Sequence, residues 1–257
     1  MTFLDKLSKT FAKAIIWAFS GALFGAFFSG LLNFFLIEGI ASWLAYMLAT
    51  VLAGMVISAY FGSMLVALGG TLAGILTAIS YQILFVTYHQ PLILLGISLV
   101  AGLIAGGFFT KREIRDSQPL AQTGTGFMAG LISSPLVYTI ISSSPISNNG
   151  WEAAAVAVSL VGLCYVFLIK HRLSILGSAG ALKIGGPLVS GLIAMTVASV
   201  FWIIGESYMT IPELGQVSQY QQVLDAAPLG LLGGALGGAF GGAILEILGI
   251  RLEEHIA

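Results

Sequence analysis

The sequence predicts an all-α polytopic membrane protein of about eight transmembrane helices, with both termini in the cytoplasm. Three observations carry this. Hydrophobic residues make up 58% of the chain and charged residues only 8%, where soluble domains carry roughly 25% charged residues. The apolar runs have the length of a bilayer crossing, about 20 residues as a helix. All ten lysines and arginines fall in the leader, the tail or alternate connections between those runs, the positive-inside asymmetry of an inserted chain.

Residues 1–13 read as a cytoplasmic leader carrying Lys6, Lys9 and Lys13. Span 1 is Ala14–Ile37, closed by Glu38-Gly39. It is too long for a signal-peptide core of about 7–15 residues and reads as a retained span. The apolar run from Ile40 to Tyr88 would be ~73 Å as one helix, against a core of ~30 Å. It must be two spans, 40–60 and 64–87, turning at Tyr60-Phe61-Gly62-Ser63. Tyr88-His89-Gln90-Pro91 is the next turn, and span 4 is 91–110. A basic cytoplasmic linker, 111–123, holds Lys111, Arg112, Arg115 and Asp116.

Span 5 is 124–141, interrupted at Ser133-Ser134-Pro135, and a polar loop leads to span 6 at 151–169. A basic loop holds Lys170, His171, Arg172 and Lys183, and span 7 is 184–204. The outer loop 205–227 is expected to contain a short amphipathic helix starting at Pro212, with Leu214, Val217, Gln221 and Leu224 on one face. It reads either as a plug over its own bundle or as a lid or docking surface. Span 8 is Pro228–Ile250, and a cytoplasmic tail, 251–257, carries Arg251 and His255. The outer connections hold Glu38, Glu152, Glu206, Glu213 and Asp225, and no lysine or arginine.

The order of the spans suggests an internal repeat of two four-helix halves, 14–110 and 124–250. Gly21, Gly25 and Ser29 align with Gly126, Gly130 and Ser134, and Trp43, Ala49 and Gly54 with Trp151, Ala157 and Gly162. GGTLAGIL from Gly69 resembles GGPLVSGLI from Gly185, and PLILLG from Pro91 resembles PLGLLG from Pro228. Four spans per half would keep both halves in the same orientation, a parallel repeat.

Span 8 is the most distinctive stretch. Its glycines form two interleaved rows, Gly233, Gly237, Gly241 and Gly234, Gly238, Gly242. Each row repeats every four residues and so lies along one helix face. A face without side chains lets another backbone approach closely, the small-xxx-small logic of membrane helix pairing and of glycine zippers. These six glycines are the expected helix-packing residues. The face would suit the chain's own helices, partner transmembrane helices or a second copy.

Candidate pathway residues are the polar groups inside the spans. Ser133, Ser134 and Pro135 mark either a broken helix, whose unwound backbone could line a binding site, or a plain kink. Asn33 and Gln82 are adequately explained by interhelical hydrogen bonds, with a pathway role as the alternative. Glu246 is the one ionisable residue well inside a span. It either handles an ion or solute or snorkels to the cytoplasmic surface and pairs with a base there. Arg251 is a poor partner for it, roughly 140° away around the helix.

Several classes are disfavoured. The net charge of −1 gives no reason to expect nucleic acid as a partner. Cys164 is the single cysteine and has no disulfide partner within the chain. His89, His171 and His255 lie on loops or the tail, on opposite sides of the membrane, so neither a metal site nor an intramembrane haem is expected. No span offers a histidine base for a serine nucleophile, so no enzyme is expected and no cofactor is implied. What remains is a small permease or channel for a neutral or weakly polar solute, with a path between the two halves. The alternative is a non-catalytic membrane subunit or assembly factor that docks partner helices through its glycine faces. The expected location is a plasma-membrane-like bilayer, with an internal energy-converting membrane as the alternative.

Overall fold

A computed structural model describes residues 3–84, 90–113, 117–148, 150–176, 179–209 and 220–248. They form α1 (Phe3–Ile37), α2 (Ser42–Gly62), α3 (Met64–Leu84), α4 (Pro91–Glu113), α5 (Ser117–Ser143), α6 (Trp151–Lys170), α7 (Ala179–Met209) and α8 (Gln221–Ile247). All eight are long and apolar enough to cross a membrane. With no water to satisfy backbone groups in lipid, a helix that bonds to itself is the element these runs can form. The chain is an integral, multi-pass membrane protein.

The elements depart from the sequence reading in several places. Helix α1 begins at Phe3, within the expected leader, and α4 and α5 extend to Glu113 and from Ser117, into the expected linker 111–123. The turn in the long apolar run is a single residue, Ser63, between α2 and α3. Helix α5 is not interrupted at Ser133-Ser134-Pro135; it runs unbroken with Pro135 inside it. The outer loop is shorter than 205–227, because α7 continues to Met209 and α8 begins at Gln221, ahead of Pro228. Gln221 and Leu224 are therefore part of α8 and not of a separate surface helix. Pro212, Leu214 and Val217 lie outside the described residues, as do His89, Arg115, Asp116 and the tail with Arg251 and His255. In lipid a proline inside a helix is tolerated, since nearby hydroxyls and neighbouring helices re-satisfy the freed carbonyl.

The contacts divide the chain into two compact units that interleave along the sequence: Met1–Ile57, Phe127–Leu173 and Gln222–Ala257 form unit 1, and Ser58–Gly126 with Ser174–Gln221 form unit 2. Unit 1 takes α1, α6, most of α2 and α8, and the greater part of α5. Its core centres on Phe28, Leu32, Phe34, Met55 and Ile141, all buried. Unit 2 takes α3, α4 and α7, which pack on one another in all three pairings. Large apolar side chains such as Leu72, Leu76 and Ile83 of α3 and Ile104 and Phe108 of α4 are exposed, as expected of side chains that face acyl tails.

Candidate functional site

The glycines of α8 occupy two faces in unit 1. Gly234 and Gly238 lie against the backbone of α1, where their nearest neighbours are the carbonyl groups of Gly21 and Trp17. Gly230 extends that row onto the Gly25 carbonyl, and Gly242 ends it under the Trp17 ring. A β-carbon added at Gly25 would stand 2.9 Å from the Gly234 Cα, closer than any real side chain sits. The second face meets α6: Gly233 lies on the Trp151 carbonyl, and a β-carbon at Gly237 would stand 2.8 Å from the Ala155 oxygen. Gly241 differs from the other five, with open space where its side chain would be. Glycine Cα groups against carbonyl oxygens are the geometry of Cα–H···O contacts, about 0.5–1 kcal/mol each.

Glu246 sits at the end of the same helix. Its Oε2 is 2.6 Å from Nζ of Lys13 on α1, and both side chains are largely shielded, 16% and 21% exposed. The pairing base is thus in the leader, on the helix whose glycines face α8. Trp17 stands one turn above Lys13 and also reaches Gly162 of α6, with a ring carbon 3.7 Å from where a β-carbon would be.

The remaining candidates are satisfied close to home. Pro135 has no N–H, so the Leu131 carbonyl loses its helical donor; Ser134 Oγ donates to that oxygen at 2.9 Å. Ser133 Oγ donates across to the Leu160 carbonyl of α6 at 3.3 Å. Both serines are buried, while Pro135 itself is exposed. Asn33 Nδ2 donates to the Ser29 carbonyl one turn back, at 2.8 Å. At 1.5 Å per residue Asn33 stands ~30 Å along α1 from Lys13, so it and Glu246 lie at opposite ends of that helix. In unit 2, Gln82 Nε2 donates to the Phe201 carbonyl of α7 at 3.4 Å, and its amide fills the space beside Gly205.

Other polar features were not singled out in the sequence. Tyr46 of α2 is buried, stacks edge-on to Tyr138 of α5 at 5.6 Å, and its hydroxyl donates to Asn148 Oδ1 at 2.5 Å. This pins the α5–α6 connection to α2. The hydroxyls of Ser29 and Ser190 are buried without a hydrogen-bond partner. Ser190 belongs to a second small-residue face, Gly186, Ser190 and Ala194 of α7, which receives Gly70 and Gly74 of α3 and Gly102 and Gly106 of α4. The four-residue spacing of those glycines was present in the sequence and would have flagged them. The Tyr46–Asn148 pair joins residues far apart in the chain and left no such signal.

Among the described residues no three of His, Cys, Asp or Glu lie together, and Cys164 is free. No protein-family model matches this chain, and no curated protein or solved structure matches it.

Proposed function

We propose that this protein is a small permease or channel for a neutral or weakly polar solute. The observation that carries the reading is that five of the six α8 glycines are covered by the chain's own α1 and α6. A face already occupied within the monomer is not offered to a partner helix. Two further features support a neutral solute. The shielded Glu246 is matched by Lys13, which leaves no uncompensated charge there to attract an ion. The buried hydroxyls of Ser29 and Ser190 lack partners and can exchange hydrogen bonds with a neutral polar molecule. The reading is non-catalytic.

The test is stopped-flow flux of water, urea and glycerol into liposomes holding the purified chain. Permeability above that of empty liposomes for at least one solute is expected. Flux equal to empty liposomes for all three would sink the reading. The second reading, a subunit that docks partner helices, is favoured by one observation: Gly241 is open, with nothing within 4 Å of where its side chain would be. Native mass after gentle extraction separates the two, since a subunit leaves the membrane in a larger particle of fixed composition.

A further inference from the structure

Helix α6 ends with a cation where its backbone favours glycine. Arg172 N–H donates to the Ile169 carbonyl and Leu173 N–H to the Leu168 carbonyl, each at 2.9 Å. This is the Schellman arrangement, whose C′ residue takes the left-handed conformation and is usually glycine. Here that residue is Arg172, with φ 53°, the one non-glycine residue of positive φ among those described. An L side chain in that region is disfavoured, and such strain points to a use for the side chain.

The surroundings say what use. Lys170, His171, Arg172 and Leu173 are all exposed. The His171 ring turns back onto Phe167 of its own helix, 4.5 Å between centroids, which leaves Lys170 and Arg172 as the outward cations. Among the described residues neither stands in an ion pair, whereas Lys13 in the same unit is matched by Glu246. Cations are favoured at a helix C-terminus in any case, which accounts for Lys170 but not for an arginine held in a glycine conformation. The contact between Trp17 and Gly162 puts this turn at the same end of unit 1 as Lys13, the end that the charge distribution assigns to the cytoplasm. Leu173, next in the chain, is an exposed apolar side chain at that level.

We propose that the Lys170–Arg172 turn is a docking site for the phosphate headgroup of an anionic phospholipid, with Leu173 entering the edge of the acyl region. The guanidinium takes phosphate oxygens two at a time and the ammonium adds a point charge. Juxtamembrane cations are attracted to anionic lipid in this way. The inference goes beyond the transport reading and does not depend on it.

The test uses the full chain in nanodiscs of phosphatidylcholine mixed with phosphatidylglycerol, extracted gently and analysed for retained lipid by native mass spectrometry. The wild-type chain is expected to retain phosphatidylglycerol in preference to phosphatidylcholine. Arg172→Gly is expected to unfold no more easily than wild type in neutral detergent, because glycine suits the motif, yet to lose the preference by about fivefold, the weight of one cation near the surface. Lys170→Gln should lose a similar factor without the gain in backbone comfort. Retention unchanged in Arg172→Gly overturns the proposal. So does a loss of stability for that variant in neutral detergent, which would make Arg172 a structural residue. If inorganic phosphate stabilises the detergent-held wild type as well as phosphatidylglycerol does, the site takes soluble anions and the lipid assignment fails.

Discussion

Both units are closed by faces of small residues, but the faces are filled differently. In unit 1 the α1–α8 contact is backbone on backbone: Gly21 against Gly234 and Gly238, Gly25 against Gly230 and Gly234. In unit 2 the contacts are mixed: Gly69 and Gly186 meet only side chains, Phe109 and Thr110, whereas Gly70 and Gly74 first meet the Ser190 and Ala194 carbonyls. The physical difference is one of escape. A side chain has other rotamers to move into, whereas a helix backbone can yield only by moving the whole helix. The α1–α8 seam should therefore be intolerant of any added atom, whereas the Gly69 and Gly186 contacts of unit 2 should give way by degrees.

The sharpest way to break this comparison is Gly234→Leu. It should cost more than the ~1–3 kcal/mol typical of overpacking and leave no monodisperse folded protein in detergent. A well-behaved variant would mean the seam is looser than its geometry. Next is Lys13→Gln, which removes the cation 2.6 Å from the shielded Glu246 carboxylate at the end of that seam; a loss of about 1–3 kcal/mol is expected, since the pair is only partly buried. Adding Glu246→Gln should recover most of it in a thermal double-mutant cycle, and additive losses would mean the pair is not coupled. In unit 2, Gly69→Ala should cost only ~1 kcal/mol, at the low end of overpacking, because the Phe109 ring can swing aside. An equal loss for Gly69→Ala and Gly234→Ala in thermal unfolding would erase the distinction between the two kinds of contact. Ser134→Ala should also cost ~1 kcal/mol, by orphaning the Leu131 carbonyl, with no such loss when Pro135→Ala restores the backbone donor. Smallest is Gly241→Ala, which meets open space and should stabilise by less than ~1 kcal/mol through helix propensity. Destabilisation there would reveal a neighbour at that face.

Much of the fold was legible because lipid reduces the problem to length and charge. A run that is apolar for a bilayer's thickness has to be a helix, and the ten cations mark its ends. Pro228 reads as a helix start and Pro135 as an interruption or a kink, yet both lie inside continuous helices, since the rule that proline ends a helix holds best in water. Where the freed carbonyl has a serine within reach, as Leu131 has Ser134, the helix continues. The candidate polar residues were legible as residues but not as a site. Asn33 and Ser134 bond to their own helices, which sequence spacing permits but does not require.

By itself, then, the sequence determined the class of molecule, the number of crossings and which helix faces lack side chains. Those properties follow from composition and a period of 3.6 residues, and each is local. Only the tertiary structure decided who meets those faces. Gly25 and Gly130 would be equivalent in the repeat the sequence suggests, yet Gly25 packs on Gly230 and Gly234 of α8, and Gly130 on Thr50 and Val51 of α2. The same held for Glu246, which meets Lys13 near the other end of the chain. A glycine face is complementary to many surfaces and a carboxylate to any cation. The choice among them depends on how every other helix packs, which no short stretch of sequence encodes.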